Sequence, residues 1–399
     1  MTRSTPIRVR WLAPYPTRPA RNGGQIRVSQ LILGLERAGA EVQVTFPTSC
    51  AEQVMFGTHD GAYRARNRDT VVSKLRCALS PLPDYSWLSL PAEPWPPLEG
   101  LGPPADIIVL SQPHQFPMVR RFATSSTAVL LEAQNVESDL YRQLTAASGR
   151  TIHTTRMRLE TLKSRRFEAA VLRDAEHVVA VSDLDASRLR RMGAKSVSVV
   201  ANGVDTSHFT RQEHDDVSRG RLIMTGTLGY KPNEDAAAWL AREILPAVRR
   251  RLPAATLALV GSHPSDVVKG LHDPLNGVSV HANVDDVRRF TADSDIFLVP
   301  LRLGSGTPLK VAEALACGIP TVCTSRIEQA LRIDDGSVDV ADSAEEFADA
   351  VSRIVSDPAH RGAMVEAGYR LVAERFDWRV LSAQFADTVL NLAESSRGI

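Results

Sequence analysis

Short apolar runs alternate along the chain with longer stretches in which apolar residues recur every three or four positions. That alternation predicts strands interleaved with amphipathic helices. IRVRWLA (residues 7–13) reads as a strand, and a Pro- and Gly-rich loop comes next, through Gly23 and Gly24. Ile26, Leu31, Leu35 and Ala38 share one face of a helix over 25–38; Gly39 ends it, and EVQVTF (41–46) is the next strand. Such a β-α-β unit predicts parallel pairing, because parallel neighbours need a crossover of about helix length. Residues 62–105 are rich in Pro and Trp, lack periodicity and read as an irregular excursion. Strand patterns return at ADIIVL (105–110), AVLLEA (128–133), HVVAVS (177–182) and SVSVVANGVD (196–205), with an Arg-dense helix over 151–175.

Residues 206–220 are polar and read as a linker. A second alternation begins after it: RLIMTGT (221–227), a helix over 233–250, ATLALVG (255–261), GVSVHANV (277–284), DIFLVPL (295–301), a helix over 309–317 and PTVCTS (320–325). The expected fold is α/β, with two Rossmann-like domains over 1–210 and 211–375 and a helix over 376–399 packing back on the first. Such domains bind ligands outside the carboxyl ends of their strands, so two facing domains predict a site in the cleft between them.

Composition narrows the function classes. In 399 residues, 47 Lys and Arg stand against 46 Asp and Glu, which gives no basis for a nucleic-acid partner. Cys50, Cys77, Cys317 and Cys323 form no CxxC pair; the last two sit in apolar surroundings and read as packing residues. The N-terminal MTRSTPIRVRWLAPYP has no apolar signal core, and no window nears the roughly 18 apolar residues of a spanning helix. A cytoplasmic enzyme is the expectation. Asp285–Asp286 and Asp334–Asp335 are adjacent pairs whose side chains diverge, so neither a metal site nor a cofactor is expected.

GSGTPLKVAEALACGIPTV (304–322) carries the densest chemistry. It comes after a predicted strand and opens a helix. Gly304 and Gly306 let backbone approach a ligand, Ser305 and Thr307 offer hydroxyls, and free N–H groups at the helix start favour an anion. Lys310 adds a positive charge, and Glu313 lies on the same helix face. A diphosphate beside a diol would use these groups, Lys310 for phosphate and Glu313 for ribose hydroxyls. The same residues also read as a helix cap and a surface ion pair.

This segment resembles the donor-site signature of glycosyltransferase family 4, the retaining enzymes of GT-B fold. Other stretches resemble further parts of the family: MTGTLGYKPNEDAAAWLAREILP (224–246) the opening strand–loop–helix of its C-terminal domain, VVAVSDLDASRLRRMGAKSVSVVANGVDTSHF (178–209) its interdomain approach, QNVESDLYRQL (134–144) its HNVE segment and GGQIRVSQLILGLERAGAEVQV (23–44) its first loop and helix. The resemblance spans nearly the whole chain. It implies transfer of a hexosyl unit from a UDP- or GDP-sugar to a hydroxyl acceptor with retained anomeric configuration: a lipid-linked glycan, a polysaccharide or a secondary metabolite. It also implies backbone contact from Gly23 and Gly24 to the donor diphosphate. Three positions depart from the family pattern. Ser305 stands where many members have a Glu, Gln134 where they have the His of HNVE, and Thr227 where an Arg flanks the diphosphate. Lys231 is then the nearby cation, with Arg302 or Arg27 as substitutes.

On the N-terminal side two residues compete for a role. His114, after the strand DIIVL, could carry a proton; Gln134 can only position the sugar. Glu137 and Asp205 read as structural, and Trp87 and Trp95 read equally as acceptor-groove or surface residues. The helix carrying Arg156, Arg158, Lys163, Arg165, Arg166 and Arg173 could touch anionic lipid peripherally, but Glu160 and Glu168 interrupt it and favour a solvated or interdomain face. The rival readings are a sugar-nucleotide epimerase or hydrolase of the same fold and a non-catalytic nucleotide-sugar-binding protein.

Overall fold

The computed structural model describes residues 6–20, 23–48, 61–64, 76, 79–83, 104–139, 142, 152–212, 217–303, 308–333 and 335–397. The chain divides into two compact units, Met1–Ala201 with Leu381–Ile399, and Asn202–Val380. The strands of the first are β1 (Arg8–Leu12), β2 (Glu41–Thr48), β3 (Gly61–Arg64), β4 (Ile107–Leu110), β5 (Ala128–Ala133), β6 (His177–Ala180) and β7 (Val197–Val199). They form a seven-stranded sheet in the order β3-β2-β1-β4-β5-β6-β7, with every pair parallel. The second unit has β8 (Arg221–Thr227), β9 (Thr256–Ser262), β10 (Val278–Ala282), β11 (Ile296–Val299), β12 (Thr321–Cys323) and β13 (Asp339–Val340). Its six-stranded sheet runs β10-β9-β8-β11-β12-β13, again parallel throughout.

Ile107–Leu110 and Ile296–Val299 are buried at every position, as expected of central strands covered on both faces. The same device pins the start of the inner strands in each unit. Asp106 Oδ2 accepts the Arg8 N–H at 2.8 Å, and Asp295 Oδ2 accepts the Arg221 N–H at 2.7 Å. Cys317 and Cys323 are free and buried.

The structure departs from the sequence reading at the edges. β3 and β13 are too short to show periodicity. SVSVVANGVD is a strand only over Val197–Val199. Beyond it, Val204 donates its N–H to Phe376 O at 2.7 Å and accepts from the Trp378 N–H at 3.2 Å. These bonds draw 202–209 into the second unit, so the division falls at 201/202 and not at 210/211. Helix Trp378–Arg397 starts in the second unit and belongs to the first from Leu381 onward. There the Phe385 ring packs 5.5 Å from the Trp11 ring. Trp87 and Trp95, with most of the 62–105 excursion, lie outside the described residues.

Both sheets reverse their strand order beside the first strand, between β1 and β4 and between β8 and β11. In open α/β sheets such a switch point is where ligands bind, at the carboxyl edge of the strands.

Helix Gly23–Arg37 meets the C-terminal helix at Gly34, where a Cβ would lie 2.5 Å from Ser382 Cβ and 2.6 Å from its carbonyl oxygen. Gly34→Ala should therefore destabilise the first unit by roughly 1–3 kcal/mol through overpacking. Gly362→Ala, at a helical site with open space around it, should stabilise by about 0.4–1 kcal/mol. Urea unfolding of both variants checks the pair; equal midpoints would remove the packing argument.

Candidate active site

In the second unit the strand order reverses between β8 and β11. After β11 comes helix Leu309–Cys317, whose first turn carries Lys310. After β8 comes helix Lys231–Trp239, which carries Asn233. Lys310 is only 8% exposed and Asn233 only 7%. The Lys310 ammonium donates to Asn233 Oδ1 at 2.9 Å, and Asn233 Nδ2 donates to Thr227 O at 2.9 Å. An ammonium only donates, so the amide oxygen must face it. Gly226, at φ +145°, lets the ammonium lie against the strand end; a Cβ there would sit 2.9 Å from Nζ.

Lys310 is therefore not half of a surface ion pair. Burial pushes its pKa down to about 8, against the raising effect of Glu313. Burial likewise pushes Glu313 up to about 7, against the lowering effect of Lys310. The lysine thus keeps its charge at neutral pH. The remaining candidates of this segment, Gly304, Ser305, Gly306 and Thr307, lie outside the described residues.

The supplementary cations are engaged elsewhere. Lys231 is exposed and donates to Glu234 Oε1 at 2.7 Å, an interaction that holds the Glu234 carboxyl below its ordinary range. Arg302 binds Asp235 at 2.8 and 3.1 Å and stacks 4.5 Å from the Trp239 ring centroid. Arg27 is no substitute cation: it is 1% exposed in the core of the first unit, with Nε on Glu132 Oε1 at 2.6 Å and Nη1 on Ala201 O at 2.8 Å.

That buried pair organises the carboxyl edge of the first sheet. Glu132, the fifth residue of β5, is fully buried, and burial raises its pKa against the pull of Arg27. Its second oxygen accepts Gln134 Nε2 at 3.2 Å, and Gln134 Oε1 accepts the Tyr15 hydroxyl at 3.1 Å. Both ends of the Gln134 amide are thereby oriented. Gly23 and Gly24 do not sit in a loop but form the first turn of helix Gly23–Arg37, whose backbone N–H groups lack intrahelical partners. A Cβ at Gly24 would fall 2.1 Å from Tyr15 Oη and 2.9 Å from Gln134 Oε1, so a larger residue there would displace one of those side-chain ends. The structure thus brings Gly24 and Gln134 together, along with Tyr15 and Glu132, which the sequence reading missed.

His114 lies in the short turn Pro113–Gln115 after β4. Burial of its ring pushes its pKa down to about 3. That shift favours the neutral imidazole near neutral pH and weighs against the acid/base expectation. Glu137 is structural: it is buried beside Glu168, which accepts the Glu137 and Ser138 N–H groups at 2.7 and 2.9 Å. Asp205 closes a turn by accepting the Ser207 N–H at 2.9 Å.

Glu160 and Glu168 on helix Ile152–Asp174 point inward and are buried, whereas Leu159 and Leu162 are exposed. Asp286 is held by Arg288 at 2.7 Å. Among the described residues no group of three or more His, Cys, Asp or Glu side chains gathers, and no helix is long and apolar enough to cross a membrane.

The chain thus has two doubly wound units, the second with a buried cation beside its switch point. Residues 22–203 match the family model described as "Glycosyl transferase 4-like domain", and residues 219–357 match "Glycosyl transferases group 1". The chain belongs to glycosyltransferase family 4, of GT-B fold. It is 27% identical over 251 residues to a GDP-mannose-dependent alpha-(1-6)-phosphatidylinositol monomannoside mannosyltransferase of Mycolicibacterium smegmatis. That match covers 56% of this chain and 64% of the relative. Sucrose-phosphate synthase from Thermosynechococcus elongatus shares the fold at TM-score 0.69 and 17% identity, over 98% of this chain and 100% of that one. Anabaena HepE, solved in complex with UDP and glucose, does so at TM-score 0.63 and 14% identity, over 96% and 99%.

The Glu137 environment has a measurable consequence. Burial, then Glu168, lifts its pKa from 4.5 to about 7. The folded state therefore holds this proton more tightly than the unfolded chain, so stability falls as pH rises from about 4.5 through 7. Glu137→Gln should remove that slope and raise stability at pH 8 relative to wild type by roughly 1–3 kcal/mol, with little gain at pH 5. Parallel unfolding curves at the two pH values decide it; an equal effect at both would refute the buried-proton account.

Proposed function

We propose that the protein is a hexosyltransferase that takes a hexosyl unit from a UDP- or GDP-sugar and delivers it to a hydroxyl acceptor with retained anomeric configuration. The observation that carries this reading is the buried Lys310 ammonium held by the neutral oxygen of Asn233. A buried charge is costly unless an anion meets it. A lysine held this way at the carboxyl edge of a Rossmann-like sheet suits the diphosphate of a nucleotide sugar.

In this reading Lys310 stabilises the charge that grows on the leaving diphosphate, a preorganised contact whose strength rises in the transition state. Glu313, one turn further along the helix, accepts ribose hydroxyls. Gly304, Ser305, Gly306 and Thr307 supply donors to the phosphates, Gly23 and Gly24 supply backbone contact from the first unit, and Gln134 positions the sugar. The leaving phosphate oxygen takes the acceptor's proton, so no protein base is required; the depressed pKa of His114 supports that assignment. Protein donors and Lys310 meet the diphosphate charge without a metal ion. GDP-mannose is the first donor to assay, because the mannosyltransferase relative is named for it. That relative is named for a phosphatidylinositol monomannoside, so lipid-linked glycans come first among the acceptors to try.

Lys310→Ala should lower kcat/KM for the donor by about 10²–10³-fold, or about 2.7–4 kcal/mol. Unchanged kcat/KM would sink the donor-site assignment. Glu313→Gln should weaken donor binding more than turnover, because an amide presents one acceptor where a carboxylate presents two. Calorimetry with the nucleotide sugar reads this directly, and a wild-type dissociation constant would refute the ribose role. Product NMR should show the donor's anomeric configuration kept, and activity should survive EDTA; inversion, or loss restored by Mg²⁺ or Mn²⁺, would overturn those parts of the reading.

A further inference from the structure

Asn233 lies two residues after Lys231, in the first turn of helix Lys231–Trp239, and is nearly fully buried. It joins two otherwise separate elements. Its carbonyl oxygen holds Lys310 of helix Leu309–Cys317, and its NH₂ group is anchored on the last carbonyl of β8, at Thr227. Gly226, one residue earlier, clears the space that the ammonium fills. A buried lysine is most often matched by a carboxylate, which would neutralise it. Here the holder is an amide, so the direction of the cation is set while its charge is left for a ligand. Asp is nearly the same size as Asn, so space alone does not dictate the amide.

We propose that Asn233 is a positioning residue for Lys310, and that its neutrality sets the affinity of this unit for the diphosphate of the donor. The inference rests on the reading that Lys310 meets that diphosphate. A carboxylate at 233 still accepts from Lys310 but cancels its charge and repels phosphate, so the near-isosteric change is the more harmful one. An Asp at 233 would also lose the donor to the Thr227 carbonyl, so the comparison in a Lys310→Ala background separates cancelled charge from lost anchoring.

The test uses the full chain and measures UDP and GDP binding by calorimetry at pH 7, scoring whichever nucleotide wild type binds. Asn233→Asp should weaken binding by about tenfold or more relative to Asn233→Ala, because a like charge now faces the phosphates. In a Lys310→Ala background both substitutions should have smaller effects, since the group they position is gone. Thermal melts confirm that each variant is folded. Should Asn233→Asp not fold, Asn233→Ala compared in the wild-type and Lys310→Ala backgrounds carries the test: a loss of affinity confined to the wild-type background supports the positioning role, and an equal loss in both overturns it. Glu313 on the same helix and Asn233 and Gly226 opposite are the groups facing Lys310. With Lys310 at about 8, nucleotide affinity should fall as pH rises through 8, and Lys310→Arg should abolish that fall. Equal affinities for Asn233→Ala and Asn233→Asp overturn the positioning role while leaving nucleotide binding intact, and a flat wild-type pH profile overturns the part played by the Lys310 charge. Failure of wild type to bind either nucleotide overturns the donor reading itself, and the inference with it.

Discussion

Parallel pairing of strands that are covered on both faces is the constraint on which the rest of each unit depends. All carboxyl ends then lie along one edge, and the helical crossovers must leave from that edge. Strand order turns back beside β1 and β8, so two loops part there and leave backbone unpaired. Every candidate residue that the structure describes stands at such an edge. In the first unit these are Gly23, Gly24, Gln134 and His114; in the second, Lys231, Lys310 and Glu313. Asp106 and Asp295 repeat one pinning contact at the opposite edge, which leaves the carboxyl edges free for other chemistry.

The two units treat buried charge in opposite ways. Arg27 and Glu132 close on each other at 2.6 Å, and both are almost completely buried. A pair of that kind adds little net stability, but removing one partner would leave an uncompensated charge at a cost of about 3–5 kcal/mol. Its effect is geometric: it ties helix Gly23–Arg37, the end of β5 and Ala201 together and orients Gln134. Lys310 is also buried but is held by a neutral amide. One charge meets an opposite charge, and the other meets a neutral amide oxygen.

The departures from the family pattern acquire a physical context. Gln134 is not a stray substitution, because its amide fits between a hydroxyl and a carboxylate that fix both of its ends. Thr227, where an Arg is common, contributes its carbonyl to anchor Asn233 and through it Lys310. Lys310 thus reaches the end of β8 from helix Leu309–Cys317.

Sequence alone determined most of the strand and helix order, the parallel character of both sheets and the start of the helix that carries Lys310. Those properties are local: period and punctuation reveal whether a run such as DIFLVPL is buried and where a helix such as Leu309–Cys317 begins. Short edge strands escaped, because β3 and β13 have too few residues to show a period. The unit boundary escaped because bonds between Val204 and residues 376–378, distant in sequence, decide it. The same reason hid the roles of charged groups. Arg27, Arg302 and Lys310 are all cations near Gly-rich segments, and only tertiary contacts separate them: Glu132 for the first, Asp235 for the second and a neutral Asn233 for the third. His114 reads as a proton carrier until burial depresses its pKa to about 3. Solvation and pairing depend on the groups that the fold packs around a side chain, and no pattern of neighbours along the chain carries that information.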